Sequence, residues 1–125
     1  MIREYARDTH SQLSNNFNSI EFQCRCGNCD VTLIDEVHVR KLQNLRNLLK
    51  KPIHIISGYR CPQHNFNVGG AKHSQHMVGT ATDIVVRGMS PNEVANVCDP
   101  FFMGLGRYDS FTHVDSRVAD TVARW

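Results

Sequence analysis

The segment from Asp35 to Lys51 ends against Pro52 and passes at once into Ile53-His54-Ile55-Ile56, and this junction constrains the fold more than any other feature of the chain. Leu42, Leu45 and Leu49 recur at helical spacing with charges between them, Asp35 and Glu36 open the segment, and Lys50 and Lys51 close it. That order of charge suits the helix dipole and predicts a helix over residues 35–51. Proline lacks the amide hydrogen a further turn would need, so the helix stops there. The β-branched run that follows predicts a short buried strand ending in the Ser57-Gly58-Tyr59 turn.

The remaining elements follow the same logic. Residues 61–70 carry Pro62, Asn65, Asn67, Gly69 and Gly70 and read as loop or one short helical turn. Ala81 to Val86 is a second apolar strand. Ser90-Pro91-Asn92-Glu93 has the form of a capping box with proline at the first helical position, opening a helix through Cys98. Phe101 to Tyr108 and Phe111 to Asp115 read as two strands joined by a tight turn. Residues 1–20 show weak periodicity and are expected to form an irregular arm over the surface. The pattern implies one α+β domain across residues 1–125, with a small, mainly antiparallel sheet and flanking helices.

Composition narrows the function. The chain has 125 residues, 41% of them hydrophobic, with 14 Lys+Arg against 12 Asp+Glu and a formal net charge of +2. Roughly two thirds of the unfolded surface of such a chain can be buried, so neither disulfides nor oligomerisation is needed for folding and a monomer is expected. No block of Lys and Arg forms the concentrated basic face that phosphate binding requires, which argues against nucleic acid as a partner. No run approaches the roughly 18 apolar residues of a spanning helix, so no membrane insertion is expected. The N-terminal residues lack the apolar centre of a signal peptide, and synthesis in the cytoplasm is the expectation.

Cysteine is odd in number: Cys24, Cys26, Cys29, Cys61 and Cys98 cannot all pair within one chain. Cys24-Arg25-Cys26-Gly27-Asn28-Cys29 is dense enough for a metal knuckle with Cys61 as fourth ligand, since tetrahedral zinc accepts four thiolates. A cysteine-rich loop, reduced or with one bridge to Cys61, accounts for the same spacing, and the absence of a second CxxC pair favours it.

A second group of ligand types lies in Ser74-Gln75-His76-Met77-Val78-Gly79-Thr80-Ala81-Thr82-Asp83 and His113-Val114-Asp115. A catalytic zinc uses three protein ligands and leaves a position for water, and His76, Asp83 and His113 supply such a set. Gly79 and Ala81 are small enough to let the chain turn sharply between the first two. Spacing alone leaves a structural reading of these histidines open, since seven histidines in a chain of this size will sometimes fall near an aspartate. His10, His38, His54 and His73 read as structural or exposed.

The order Ser57-Gly58-Tyr59-Arg60, Val68-Gly69-Gly70-Ala71, Ser74-x-His76-x-x-Gly79-x-Ala81-x-Asp83-Ile84 and His113-Val114-Asp115-x-Arg117 closely resembles the M15 family of zinc peptidases. These include D-alanyl-D-alanine carboxypeptidases, D,D-dipeptidases and phage or bacterial enzymes that cut peptidoglycan stem peptides. The resemblance covers roughly residues 22–125 and is closest to the short members carried by phages or prophages. It implies the α+β fold shared by Hedgehog and D-Ala-D-Ala peptidase domains, with zinc held by His76, Asp83 and His113. It also implies that Arg60 holds a substrate carboxylate or carbonyl, a task suited to a planar guanidinium fork, whereas a surface arginine after a strand is the plainer reading. Ser74 matches a family serine that would bond substrate or the metal's surroundings; a turn-forming serine explains it equally.

One position departs from the family pattern. Relatives place a Glu or Asp three residues before the last histidine ligand, where this chain has Ser110. Asp109 is the first alternative as general base, provided a bulge swings its carboxylate to the site. Asp115 shares strand parity with His113 and is the second, better suited to orienting a ligand. His64 and Tyr108 are further candidates for substrate or oxyanion contact. The function expected is zinc-dependent hydrolysis of peptidoglycan stem peptides, acting on the cell wall after release from the cytoplasm. The rival is a non-catalytic zinc-binding module of a phage or cell-wall assembly, favoured by Ser110.

Overall fold

The computed structural model describes residues 1–125. Ten regular elements appear in the order β1 (Ile2–Ala6), β2 (Val31–Asp35), α1 (Glu36–Leu49), β3 (Ile53–Ser57), α2 (Pro62–Asn67), β4 (Ala81–Val86), α3 (Pro91–Cys98), β5 (Gly104–Arg107), β6 (Thr112–Asp115) and β7 (Ala123–Arg124), with 3₁₀ turns at Ser19–Phe22 and Gln75–Val78. Five strands form a sheet in the order β3-β4-β6-β5-β7, antiparallel except for the β5–β7 pair. The fold is therefore the α+β type that the sequence implies. No helix is long and apolar enough to cross a membrane.

The principal sheet has two unlike faces. Ile53, Ile55, Ile84, Val86, Leu105 and Val114 point to one side, where they form a core with Val39, Leu42 and Leu45 of α1 and Val94, Ala95 and Cys98 of α3. Strand side chains alternate, so the intervening residues of β4, β5 and β6 must occupy the other face. Those residues are Ala81, Asp83 and Val85 of β4, Gly104 and Gly106 of β5, and His113 and Asp115 of β6. The polar alternation inside otherwise apolar strands is thus what gives the sheet a chemical face.

Local signals in α3 and α1 hold closely. Ser90 caps α3, its hydroxyl accepting from the Glu93 amide at 3.1 Å while the Glu93 carboxylate accepts from the Ser90 amide at 2.9 Å. A cap of this kind contributes about 1 kcal/mol. Helix α1 starts after Asp35 and ends with Lys50 in the left-handed region, just before Pro52.

The N-terminal arm is a correction. Residues 2–6 are not irregular but form β1, paired antiparallel with β2 as a separate two-stranded sheet. Strand β1 is exposed on nearly every residue, so it carries no alternating apolar stripe from which a strand could be read.

Candidate metal centre

Three side chains converge on the polar face of the sheet. Asp83 of β4 and His113 of β6 are direct cross-strand partners, which places both on one face by register alone. His76 arrives from the 3₁₀ turn Gln75–Val78, capped by the Ser74 hydroxyl, which accepts from the His76 amide at 3.2 Å. Gly79 ends that turn at φ 81°, the left-handed region, and lies against the Leu33 carbonyl with no space for a side chain. A loop histidine and a strand aspartate are thereby brought together within seven residues.

The donor geometry is specific. His76 Nε2 lies 3.2 Å and His113 Nδ1 2.9 Å from Asp83 Oδ1, and ligand atoms of all three residues fall within 4.8 Å of one another. All three are buried. The far nitrogen of each imidazole is already engaged: His76 Nδ1 donates to the Gly58 carbonyl at 2.6 Å, and His113 Nε2 donates to Asp115 Oδ2 at 2.8 Å. Carbonyl and carboxylate oxygens only accept, so in the neutral rings the nitrogens facing Asp83 carry lone pairs. Three electron-pair donors then face one another, which is stable only with protons or a cation among them. The donor set therefore fits a metal ion of the borderline type that takes imidazole and carboxylate.

Charge reinforces this arrangement. Burial works to raise the Asp83 pKa, but hydrogen bonds and charge from His113 and His76 overcome it and hold the carboxyl at about 2. Burial opposes protonation of His113, yet Asp115 and Asp83 raise its pKa above the usual histidine value. Asp115, although buried, is held well below the carboxylate range by Arg117 and His113. Arg117 donates to both Asp115 oxygens, Nε to Oδ1 and Nη2 to Oδ2, each at 2.8 Å. Gly104 lies opposite Asp115 on β5, and any Cβ there would collide with the carboxylate.

The group opens on a cleft of about 460 Å³ lined by Arg60, Arg117, Tyr108, Phe111 and Trp125, together with Gly69, Gly70 and the exposed His73. Trp125 Nε1 donates to the Tyr108 hydroxyl at 2.7 Å, the Trp125 ring lies 5.0 Å from that of His113, and Arg117 sits 5.4 Å over its face. A cavity of similar size, about 470 Å³, lies between β1, β2 and α1 but holds no cluster of metal-ligating side chains. Volume alone does not mark the site.

Each residue singled out in the sequence has a definite place. His76, Asp83 and His113 meet. Arg60 reaches the same point: its Nη2 donates to Asp83 Oδ2 at 3.2 Å and its Nε to Ser57 Oγ at 3.1 Å, leaving Asp83 Oδ1 to face the imidazoles. Ser74 lines the cleft while capping the turn. Asp115 orients His113. Asp109 does not join them: it is exposed in the turn between β5 and β6 and lines no part of the cleft. The bulge that would carry it inward is missing, since the β5–β6 register is continuous. His64 lies on α2 outside the cleft, and His38 is buried beneath the sheet, bonded to Ser116 and Thr82. The aromatic lining by Trp125 and Phe111 and the presence of His73 in the cleft carry no local sequence signal.

Paired imidazoles and a carboxylate at the foot of an open cleft are the equipment of a metal-dependent hydrolase. The sequence identifies which kind. Residues 15–115 match the family described as Peptidase M15, and the chain belongs to that family. No curated protein matches it.

Proposed function

We propose that this peptidase is zinc-dependent and hydrolyses peptide bonds in peptidoglycan stem peptides, as a D,D-carboxypeptidase or an endopeptidase. The observation that carries the reading is the convergence of His76 Nε2, Asp83 Oδ1 and His113 Nδ1 at the base of the cleft, with the other nitrogen of each ring committed elsewhere. These three residues would hold the zinc, which when bound supplies Lewis-acid polarisation of a carbonyl and activation of water.

The protein's own groups do the rest. Gly58 and Asp115 fix the two imidazoles in the tautomer whose free nitrogen faces the cleft. Arg60 and Arg117 are balanced by Asp83 and Asp115 but keep further guanidinium N–H groups in the cleft, which suit peptides bearing carboxylates, as stem peptides do at their acidic residues and C-terminus. Trp125 and Tyr108 supply a flat wall for the peptide chain. Among titratable side chains of the cleft, His73 has no side-chain hydrogen bond and is not at the Asp83 junction, which makes it the group available to carry a proton between water and leaving amine.

A non-catalytic recognition module is the second reading, and one observation favours it: Asp83, the carboxylate that lines the cleft, and Asp115, buried behind His113, are both already committed. Incubating purified bacterial cell walls with the protein, with zinc or with chelator, separates the two. Release of soluble peptide or D-alanine that stops with chelator supports the enzyme; binding to walls without release supports the module.

A further inference from the structure

Cys24, Cys26, Cys29 and Cys61 lie away from the cleft and take no part in the chemistry above, yet their four sulfurs fall within 4.8 Å of one another. They come from two segments: the first three from the loop between the Ser19–Phe22 turn and β2, the fourth from the residue after Arg60. We propose that these cysteines form a closed, four-thiolate zinc site that ties the N-terminal segment to the loop carrying Arg60.

Distance separates this from a disulfide cluster. Cys24 Sγ and Cys61 Sγ are 3.8 Å apart, whereas a disulfide needs about 2.05 Å. A regular tetrahedron with zinc–sulfur bonds of about 2.3 Å has an edge of about 3.8 Å. All five cysteines of the chain are unpaired.

The surroundings suit thiolates. Amide groups of Asn28 and Cys29 donate to Cys26 Sγ at 3.4 and 3.3 Å, and the Cys61 amide donates to Cys24 Sγ at 3.4 Å. Such bonds fix ligand sulfurs and spread their charge. On binding, each thiol loses its proton to solvent and gives an electron pair to the metal, leaving a doubly negative site. Arg7 stands against that charge, with Nη1 3.3 Å from Cys29 Sγ and its guanidinium anchored on the Cys24 and Cys29 carbonyls. With four protein ligands the site has no open position, the mark of structural rather than catalytic zinc.

The consequence reaches the cleft. Residues 58–61 are pinned from the Phe22 side by the Tyr59 amide on the Phe22 carbonyl at 2.8 Å, and from the other by the Arg60 amide on the His76 carbonyl at 3.1 Å. Gly58 in turn receives the His76 ring. Metal at Cys61 holds the loop that positions both Arg60 and His76, so it acts as a positioning element.

The test is metal content and spectroscopy on full-length protein purified under reducing conditions, which stands or falls apart from any peptidase activity. Wild type is expected to hold about two equivalents of zinc, and both Cys26→Ser and His76→Ala about one. Loaded with cobalt(II), His76→Ala should show intense thiolate-to-metal charge-transfer absorption in the near ultraviolet, and Cys98→Ala should behave as wild type. Should Cys26→Ser not fold, the His76→Ala cobalt spectrum alone decides. Absence of the charge-transfer bands in His76→Ala, iron in place of zinc, or wild-type thiols that react fully with a thiol reagent before any chelator is added would each overturn the assignment.

Discussion

The chain carries two ligand clusters built on opposite plans. His76, Asp83 and His113 gather on strands and a short turn, their far atoms held by Gly58, Arg60 and Asp115, and they face an open cleft. The four cysteines gather on loops, draw their support from backbone amides and Arg7, and enclose the space among them. Nitrogen and oxygen donors with a free side suit chemistry; four sulfurs with none suit construction. Rigid strand register places the first cluster, whereas the second uses ligands to give loops the rigidity that their sequence lacks.

The strongest way to break this division is to remove one ligand of the open cluster. His76→Ala should bring peptidase activity to background while leaving circular dichroism and the thiolate site intact, because the apolar core lies on the other face of the sheet. Loss of both metals together would mean that the clusters are one unit and that the division is wrong.

A smaller effect sharpens the open cluster's roles. His73→Ala should lower turnover by about 10²–10⁴, the range of positioned proton transfer, at unchanged metal content. Asp109→Asn should leave turnover unaltered, since that carboxylate is exposed outside the cleft. Steady-state kinetics at saturating zinc would check both, and the opposite pattern would return the proton-transfer role to Asp109.

Smaller still is the effect of loosening a support. Asp115→Asn keeps the shape but removes the charge that holds the His113 ring, and zinc affinity at the open cluster should fall by about 10–100-fold. Competitive titration against a chromogenic chelator measures this, with the cysteine cluster as internal control.

A separate effect, on stability rather than on activity or metal affinity, concerns pH. Burial holds His38 neutral, with its pKa pulled down to about 3. The unfolded chain takes up a proton near pH 6.5 that the folded chain refuses, so stability falls as pH drops below that value, by about 1.4 kcal/mol per unit while only the unfolded state is charged. The depressed Asp83 and Asp115 act in the same direction but only below the ordinary carboxylate range. Denaturant melts between pH 6.5 and 4.5 should therefore show a slope that His38→Gln flattens.

Legibility in the sequence followed the range of the forces involved. Helix α3 was readable from Ser90, Pro91 and Glu93 because a capping box is a contact between neighbours in sequence. Strand β4 was readable because its residues are nearly all buried. The ligand trio was visible as residue types, and the family motif ordered them. Strand β1 was not, because both its faces meet solvent and its pairing with β2 spans the intervening loop. Trp125 was silent for a related reason: it reaches the cleft only through the β5–β7 pairing, a contact between distant segments that leaves no local pattern. Asp109 misled because proximity in sequence to His113 suggested proximity in space, and an unbroken β5–β6 register turns it outward.

Digestion of defined muropeptides followed by mass spectrometry tests the proposed peptidase most directly. Zinc-loaded wild-type protein should convert them to products shortened at one identifiable peptide bond, with neither His76→Ala nor chelator-treated protein doing so. Muropeptides that stay intact with the zinc-replete wild type, or that are cut equally by His76→Ala, would contradict it.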